Sequence, residues 1–494
     1  MTDAPPPTAD RSDPRPALVW LRDDLRLADN PALAAALASG RPVQLLYVQD
    51  EESSGLRPLG GAARWWLARA LAALERDVNA CGGRLLLHRG AADTALPAVV
   101  EETGAGAVYW NRRYGAGEIA VDTAIKTGLR ESGVAVESFS ASLLHEPWTV
   151  LTQAKTPYKV FTPFFRAAAS QPVRAPLPAP ALDGRLVPAA RAAQSEALAD
   201  WHLEPSQPDW AGGLRQAWQP GESGARATLR TFIDHGIHGY AQGRDLPGRE
   251  NVSRLSPFLR FGNLSPHQVL AAVRHAEAAG EVGARDAAKF ISEIYWREFC
   301  YHLMFHLPDI AAANIDRRFD VVEWRDDPEL RKAWRKGLTG YPIIDAGMRQ
   351  LWRTGWMHNR VRMLVASFLI KHGLTDWREG ERWFWDTLVD ADPANNPAGW
   401  QWVAGSGADA APWFRIFNPV TQAEKFDPEG AYVREFVPEL AGLPDKYIHR
   451  PWEADAATLR AAGVELGTTY PHPILDLAAG RTRALDMLGR IRGD

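Results

Sequence analysis

Five short apolar runs in the first 146 residues constrain the fold more than any other feature of this sequence. They are separated by loops and by stretches of helical periodicity such as Trp65–Val78. Buried strands that alternate with helices predict a parallel, doubly wound sheet. Asp29 or Asn30 is a suitable N-cap for the first helix, with Pro31 at its first position. The runs are ALVWL from Ala17, PVQLLYV from Pro42, RLLLHRG from Arg84, AVYWN from Ala107 and VAVESFS from Val134.

The rest of the chain divides into a connector and a helical region. Residues 147–219 are rich in Pro and Ala with little periodicity, so we expect a long surface connector with a short helix around Phe164. From residue 220 onward the periodicity is helical. The sequence thus predicts an α/β doubly wound parallel-sheet domain over 15–146 and an all-α domain over 220–494. The helices predicted there are Ala225–His235, Pro266–Ala279, Ala284–Phe305, Pro328–Lys336, Pro342–Arg353, Trp356–Lys371, Gly380–Leu388 and Ala456–Ala462.

Polar residues follow two strands of the predicted sheet. Arg22 and Asp23 come after the first strand, and Asn111 and Arg112 lie at the end of the fourth. Ligands of doubly wound sheets bind beyond the carboxyl ends of the strands, so these side chains are candidate contacts. No GxGxxG motif follows the first strand, which makes a dinucleotide in this domain an unfavoured interpretation.

Length and charge set broad limits on function. At 494 residues the chain is too long for one core, and its net charge of −4 does not by itself indicate nucleic-acid binding. Local charge differs, because ten Lys and Arg residues but only two Asp lie between Arg331 and Arg378. This excess is consistent with a basic binding face, and a solvated helix surface explains it equally well.

Cysteine use and hydropathy narrow the class further. Cys81 and Cys300 lie far apart, so we expect neither a disulfide framework nor a metal site, which fits a reducing compartment and a cytoplasmic location. No apolar segment is long enough to span a membrane, and the Pro-rich N-terminus is typical of a polar tail rather than a signal peptide. The 20 Trp residues favour a stacking or redox role.

The most unusual composition lies between Gly355 and Trp402. Asn359 and Met363 are four residues apart and share one face of a predicted helix, with Arg360 and Arg362 close by. A helix with a purely structural role has little use for this set, so we expect a recognition function here.

Two further groups of residues are candidates for chemistry. A helix with the sequence KFISEIYWREFCYHLMF places Glu293 and Trp296 one turn apart. Taken alone, they are explained by a core aromatic and by a surface ion pair between Glu293 and Arg297. The second group precedes an expected helix start and consists of Ser253, Arg254 and Ser256. Hydroxyls, free N–H groups and an Arg suit phosphate, and an ordinary cap and loop has the same composition.

At this point the sequence resembles the photolyase/cryptochrome family, from ALVWLRDDLRLADNPAL to about FVPEL. The matching motifs in between are SRLSPFLRFGNLSP, EIYWREF, GYPIIDAGMRQL, GWMHNRVRM, DWREGERWFW, NNPAGWQW and FRIFNPVTQAEKFDP. The resemblance implies an α/β antenna domain and a helical domain that binds FAD. These are the two domains that the periodicity predicts.

The resemblance also implies a set of FAD contacts. Arg362 and Asp390 match an ion pair that lies against the isoalloxazine, with Asp392 close to the ring or ribose. Asn396 matches the residue that faces flavin N5, where an amide favours an anionic reduced flavin. The remaining implied contacts, to the phosphates, the adenosine and their surroundings, are Tyr240, Val252, Ser253, Arg254, Leu255, Ser256 and Ala391.

Three tryptophans match the family's electron-transfer chain from the flavin to the surface. They are Trp400, Trp377 and Trp324. Indole is readily oxidised, so a row of three lets an electron move inward while the hole moves out to solvent. Each residue taken alone is explained as core packing, and the match in register favours the redox role.

The resemblance further implies a DNA substrate. Repair members of the family flip a pyrimidine dimer out of the duplex into a cavity above the flavin. Residues at matching positions around the dimer are Glu293, Trp296, Asn359, Met363 and Trp402. Residues expected to contact the DNA around it are Arg244, Arg297, Arg360 and Gln422. Glu293, Asn396 and the three tryptophans are the residues expected to act in catalysis.

Four features separate the branches of the family. Members specific for (6-4) photoproducts carry His where Asn359 and Met363 stand here. Plant cryptochromes typically have Asp in place of Asn359 and Asn396, and they lack the Glu293/Trp296 pair. No long tail follows the helical domain. The pattern favours light-driven repair of cyclobutane pyrimidine dimers by a monomer using reduced FAD, with a cryptochrome-like blue-light photoreceptor as the alternative. A dark flavin oxidoreductase is disfavoured because no NAD fingerprint is present.

The sequence gives the least information about the antenna chromophore. One familiar folate pattern has Asn-Glu where this chain has Asn111 and Arg112. The WNRRY form is closer to bacterial photolyases related to plant cryptochromes. We therefore expect methenyltetrahydrofolate, with a deazaflavin or an empty site as alternatives.

Overall fold

The computed structural model describes residues 14–409 and 415–492, so most of the Pro-rich N-terminal tail lies outside it. In these residues five parallel strands form one sheet, in the order β3-β2-β1-β4-β5. The strands are β1 Ala17–Leu21, β2 Val43–Gln49, β3 Leu85–Arg89, β4 Ala107–Asn111 and β5 Ala135–Phe139. This confirms the predicted fold class of the N-terminal part.

Both faces of the sheet are covered, as its alternating side chains require. Val19 and Leu21 of β1 belong to one buried core, whereas Leu18 and Trp20 belong to another on the opposite face. Asn30, rather than Asp29, caps the first helix by accepting the Leu33 N–H at 3.1 Å. The helices of this part are α1 Pro31–Ala38, α2 Gly61–Ala80, α3 Ala92–Thr103 and α4 Ala116–Glu131.

The segment after the sheet runs back along it. Val43 donates its N–H to the Arg185 carbonyl at 2.9 Å, and Val187 donates to the Val43 carbonyl at 2.8 Å. The helix predicted around Phe164 is present as α5 Phe161–Ala169, and α6 spans Gly212–Ala217. The connector is thus hydrogen-bonded to the sheet edge rather than loosely attached.

The described residues of the C-terminal part form helices joined by loops, which confirms the second half of the predicted fold class. The helices are α7 Glu222–Thr231, α8 Tyr240–Gly243, α9 Ser256–Arg260, α10 Pro266–Ala278, α11 Ala284–His306, α12 Pro328–Lys336, α13 Pro342–Thr354, α14 Asn359–Ser367, α15 Trp377–Thr387, α16 Asn395–Ala404, α17 Pro419–Phe426, α18 Ala431–Phe436, α19 Asp445–Ile448, α20 Ala456–Ala461 and α21 Leu477–Arg492. Several of them, including α16 and α21, were not predicted.

Capping residues explain where two predicted helices differ from the observed ones. The helix predicted over Trp356–Lys371 begins at Asn359 because His358 accepts the Arg360 N–H at 3.2 Å, and it continues as a π-helical turn over Phe368–His372. The helix predicted from Gly380 begins at Trp377, where Asp376 is the N-cap.

None of the described helices is long and apolar enough to cross a membrane. Within the same residues there is no group of three or more His, Cys, Asp or Glu side chains that could hold a metal ion.

Candidate active site

A cavity of about 580 Å³ opens in the helical part between α8, α9, α11, α14 and α16. Its wall is largely apolar but includes Arg, Asp, Ser and Asn side chains, as expected of a site that binds a large organic cofactor. The predicted site residues that line it are Tyr240, Arg244, Ser253, Leu255, Ser256, Glu293, Trp296, Arg297, Asn359, Arg362, Met363, Asp390, Asp392, Asn396, Trp400 and Trp402.

Other predicted residues lie behind this wall. Arg254 is held between two indoles, its guanidinium carbon 5.1 Å from the ring centre of Trp218 and 5.3 Å from that of Trp356. Val252 packs on the core, and the Ala391 carbonyl accepts a hydrogen bond from Arg260 at 2.7 Å. The structure therefore places Arg254 against aromatic rings and not on the cavity surface.

The outer predicted DNA contacts cluster beside the cavity mouth. Arg360 pairs with Asp245 at 2.8 Å, and its guanidinium lies 4.4 Å from the ring centre of Phe426. Gln422 lies one turn before Phe426 on α17. Arg360 and Gln422 are thus neighbours on one stretch of surface, although they do not line the cavity.

We call Arg362, Asp390, Asp392 and Asn396 the inner wall. Asp390 accepts from Arg362 at 2.8 Å and from the Ser256 hydroxyl at 2.6 Å through the same oxygen, Oδ2. Its other oxygen, Oδ1, is buried and accepts no hydrogen bond from any residue that the structure describes. A buried acceptor of this kind fits a site whose ligand carries N–H or O–H donors.

Asp392 organises the start of α16. Its Oδ1 accepts from the Ala394 N–H at 2.9 Å and the Asn395 N–H at 2.7 Å, and its Oδ2 accepts from the Tyr301 hydroxyl at 2.8 Å. Burial is the main cause that raises the pKa of Tyr301, followed by the charge of Asp392. Tyr301 therefore stays a neutral donor, and the carboxylate is fixed from two sides.

Asn396 is held by a residue that the sequence reasoning missed. Its amide nitrogen donates to Oε1 of Glu381 at 2.8 Å and to the Glu381 carbonyl at 3.1 Å. Glu381 is buried and also forms an ion pair with Arg57, at 2.6 Å. No local pattern marks this contact, because Arg57 and Glu381 are 324 residues apart in the chain.

We call Arg244, Asp245, Lys289, Glu293 and Arg360 the rim. Glu293 pairs with Arg244 and, at 2.9 Å, with Lys289. The suggested ion pair between Glu293 and Arg297 is wrong, since Arg297 pairs with Glu298 at 3.4 Å and donates to the Ser142 carbonyl at 2.7 Å. Burial disfavours the charged form of Arg244, yet its pairing with Glu293 raises its pKa overall.

Trp296 forms a side of the cavity with support from the connector. Its ring stacks on Phe161 of α5 with ring centres 3.8 Å apart and planes 9° from parallel. The indole is therefore fixed from behind, which leaves a rigid aromatic surface available for stacking.

The three predicted redox tryptophans belong to, or pack on, one buried core. Trp400 and Trp377 are buried in it, and Trp324 packs against its edge. Trp377 donates its indole N–H to Asn314 at 2.9 Å. A side chain at Gly380, one turn beyond Trp377 on α15, would collide with the Trp400 ring, so this glycine allows Trp400 to pack directly on that helix.

The polar residues at the strand ends bond mainly to other residues of the sheet part. Asn111 donates to Asp24 at 2.6 Å and to Asn30 at 2.8 Å. Arg22 pairs with Asp122 at 2.8 Å. Asp23 instead pairs at 2.7 Å with Arg260 of α9, which links the sheet to the helical part.

Comparison with known proteins gives the family. Residues 17–181 match the family model described as DNA photolyase, and residues 290–490 match the FAD binding domain of DNA photolyase. A deoxyribodipyrimidine photo-lyase from Agrobacterium fabrum is 53% identical over 474 residues, which are 95% of this chain and 97% of that protein. The chain belongs to the photolyase/cryptochrome family.

Two further members of the family are similar to this chain. The crystal structure of a bacterial class III photolyase from Agrobacterium tumefaciens has a TM-score of 0.93 and 50% identity, with 98% of each chain covered. Cryptochrome-1 of Arabidopsis thaliana is 37% identical over 487 residues, which are 96% of this chain and 70% of that protein. The chain is thus similar both to photolyases and to cryptochromes.

Proposed function

We propose that this protein repairs cyclobutane pyrimidine dimers in DNA, using light and a reduced FAD bound in the cavity. The observation that carries the proposal is that one cavity joins the inner wall to Glu293, Trp296, Asn359, Met363 and Trp402. The relatives named deoxyribodipyrimidine photo-lyase support the same reaction. When bound, reduced FAD supplies an electron that, after absorption of light, splits the cyclobutane ring and then returns.

In this proposal the inner wall holds the isoalloxazine and the neighbouring loop holds the phosphates. Ser253 and Ser256 offer hydroxyls and Tyr240 offers a ring to the rest of the cofactor. The Arg362–Asp390 ion pair gives one face both a cation and a carboxylate. Asn396 presents an amide instead of an acidic proton, which suits a reduced and anionic ring.

The opposite side of the cavity receives the flipped dimer. Trp296 and Trp402 offer flat surfaces for stacking, and Asn359 offers an amide for a base edge. Glu293 is placed to stabilise the charge that develops on the thymine carbonyls. Arg244, Arg297, Arg360 and Gln422 contact the DNA around the lesion, so binding weakens with added salt.

The buried tryptophans supply electrons to oxidised FAD. Trp400 and Trp377 are enclosed in one apolar core, and Trp324 lies at its edge, where its partial exposure suits the end of the chain. Burial of Trp400 and Trp377 in this core keeps water from their rings, which favours transfer of an electron over a side reaction with solvent.

The sheet domain holds an antenna chromophore, for which we propose methenyltetrahydrofolate, with a deazaflavin or none as alternatives. The proposed limits remain 15–146 for this domain, 147–219 for the connector and 220–494 for the FAD- and DNA-binding domain. The absorption spectrum of freshly purified protein distinguishes the chromophores, and size-exclusion chromatography tests the proposed monomer.

The proposed function is tested with an oligonucleotide that carries one thymine dimer. Protein with chemically reduced FAD should restore two thymines under blue light and leave the dimer intact in the dark. Protein that binds and reduces FAD but repairs nothing would overturn the proposal. That result would support the photoreceptor function suggested by the identity to Arabidopsis cryptochrome-1.

A further inference from the structure

The orientation of the Asn396 amide is determined by its neighbours. Both hydrogen bonds from its nitrogen go to Glu381, one to the carboxylate at 2.8 Å and one to the carbonyl at 3.1 Å. Among the described residues none donates to the amide oxygen. With its nitrogen directed to Glu381, Asn396 contributes its oxygen as the acceptor available to the cavity that it lines.

The Glu381 carboxylate keeps this orientation only as long as it is an acceptor. An ionised carboxylate accepts hydrogen bonds and donates none. A protonated carboxyl, or an amide in its place, can also donate to the Asn396 oxygen, and the Asn396 amide could then turn by 180° about its last bond. Whatever keeps Glu381 charged therefore decides which group of Asn396 meets a ligand.

Arg57 is the cation that pairs with Glu381. Its guanidinium makes two parallel hydrogen bonds, Nη1 to Oε1 at 2.6 Å and Nη2 to Oε2 at 2.9 Å. The Glu381 side chain is 2% exposed, whereas that of Arg57 is 33% exposed. A buried carboxylate without a partner is costly, and the bidentate pair removes most of that cost.

Arg57 itself is fixed by several contacts between the sheet part and α15. Its guanidinium carbon lies 4.0 Å from the ring centre of Trp385, and the Trp385 indole donates to the Pro58 carbonyl at 2.8 Å. The Gly61 N–H donates to Asp386 at 2.9 Å, and a side chain at Gly60 would collide with the Trp385 carbonyl. The loop over residues 57–61 is thus seated firmly on α15.

We propose that Arg57 is a positioning residue: from outside the helical part it holds Glu381 as an acceptor and thereby keeps the Asn396 oxygen directed to the flavin. The inference rests on the proposed binding of FAD in the cavity. It extends that function, because it makes the sheet part a determinant of flavin chemistry in addition to its antenna role.

The chemical consequence follows from the hydrogen-bonding groups of flavin. The reduced ring carries an N–H at N5, whereas the same nitrogen of the oxidised ring can only accept. An oxygen at this edge therefore favours reduced flavin. Loss of Arg57 leaves the Glu381 carboxylate without its cation, so the unpaired charge repels an anionic ring and the carboxylate is no longer fixed against the Asn396 amide.

The test compares Arg57→Gln with the parent as holoenzymes, each reduced with dithionite and then exposed to air in the dark. We expect the reduced flavin of Arg57→Gln to oxidise about tenfold faster, the equivalent of one lost charged hydrogen bond. Its midpoint potential should fall accordingly. Arg57→Lys, which keeps the charge, should recover at least half of the difference on a logarithmic scale.

A matched control separates positioning from general damage. Arg69→Gln removes an arginine of the same sheet part, one that pairs with Glu204 at 2.7 Å, and should leave the oxidation rate and potential unchanged. Glu381→Gln should shift the potential in the same direction but by less, because it frees the Asn396 amide to turn without leaving an unpaired negative charge, and the double variant should be no worse than Arg57→Gln.

The proposal is overturned if Arg57→Gln keeps the parent potential and oxidation rate while retaining FAD, or if Arg69→Gln shifts them equally. Should Arg57→Gln fold poorly, Arg57→Lys and Glu381→Gln carry the test, and parent-like potentials in both would also overturn it. Failure of the proposed function is distinct, because it appears in the parent as absence of bound FAD or of dimer repair.

Discussion

The inner wall and the rim are built differently. All four residues of the inner wall line the cavity, whereas Arg244, Lys289 and Glu293 are the rim residues that do. The Asp390 and Arg362 side chains of the inner wall are 3% and 25% exposed, and their ion pair is supported by Ser256. At the rim Glu293 is 24% exposed and Lys289 is 42% exposed. Ion pairs in contact with solvent are weak and exchangeable, whereas buried ones are costly to break. The inner wall is thus preorganised. In the proposed function Lys289 is the rim cation best able to leave its partner for a DNA phosphate, because Arg244 and Arg360 are only 13% and 18% exposed.

The largest effect is expected for Trp400, which is buried beside the inner wall. Trp400→Phe should abolish photoreduction of oxidised FAD, because phenylalanine is far harder to oxidise than indole. Repair by chemically reduced enzyme should stay close to that of the parent. Absorbance under blue light and a repair assay after dithionite reduction measure the two. Loss of both activities would show that Trp400 also acts on the dimer. That result would contradict the division between the inner wall and the rim.

Asp390→Ala should have the next largest effect, because it removes the carboxylate that holds Arg362 and Ser256. We expect FAD affinity to fall about 100-fold, as for other broken buried pairs. Isothermal titration of flavin-free protein with FAD measures the change. Asp455→Ala, which removes an N-cap on the distant helix α20, is the control and should bind FAD like the parent. Equal affinity in Asp390→Ala and the parent would contradict a preorganised inner wall.

Glu298 tests whether burial, rather than position in the fold, determines how a carboxyl group behaves. It lies on α11 with Glu293 of the rim, but it is buried like the inner wall. Burial raises its pKa to about 7, against hydrogen bonds from the N–H groups of Leu144 and His145. Below pH 4.5 the carboxyl is protonated in both the folded and unfolded states, and between pH 4.5 and 7 only the folded state keeps the proton. Its contribution to the free energy of unfolding is therefore lost as pH rises through this range.

The Glu298→Gln variant should lack that part of the pH dependence, which amounts to about 3 kcal/mol. Urea unfolding at several pH values measures it in variant and parent. Glu281→Gln, at an exposed site, should retain the parent's slope. Identical slopes in Glu298→Gln and the parent would show that the buried carboxyl does not titrate in this range.

Glu293→Ala tests the chemistry of the rim. The variant should still bind FAD and DNA, but its repair quantum yield should fall about tenfold. It lacks the carboxyl group that is proposed to stabilise the charge developing on the dimer, at a site partly open to solvent. The yield is measured under single-wavelength light with saturating enzyme. Lys289→Ala, which removes a partner of Glu293, should reduce the yield less. Equal yields in Glu293→Ala and the parent would reject this role for the carboxylate.

Arg360→Gln should give the smallest effect, because in the proposed function the side chain contacts a phosphate beside the lesion and not the lesion itself. We expect the Kd for dimer-containing DNA to rise about fivefold at low salt, and the slope of log Kd against log salt to fall by about 1. Fluorescence anisotropy at several salt concentrations measures both. FAD affinity should not change, and a loss of FAD would contradict the division between rim and inner wall.

Local patterns were sufficient to predict most of the fold. The strands alternate between two covered faces, and Pro328–Lys336 was predicted with its observed limits because Asp327 caps it and Gly337 ends it. Helix α16 was missed, since its sequence NNPAGWQWVA has no apolar stripe and is buried on nearly all sides. A helix enclosed by the protein loses the periodicity on which such predictions depend.

The sequence predicted many of the residues that line the cavity, but few of the contacts between their side chains. Asn359 and Met363 share a helix face, so their spacing alone placed them together, and both line the cavity. The pairing of Glu293 with Arg244 and the bonds from Arg57 to Glu381 join distant parts of the chain. No spacing rule contains such contacts, because they depend on how the helices pack.

The stacking of Phe161 on Trp296 has a consequence for building hybrid proteins. A designer who exchanges the sheet half of this enzyme for another, to change the proposed antenna, would naturally cut within the segment that follows the sheet. That segment supplies the ring behind Trp296. A transplant would therefore have to leave Phe161 with the helical recipient, or the hybrid would lose the aromatic support behind Trp296 in the cavity wall.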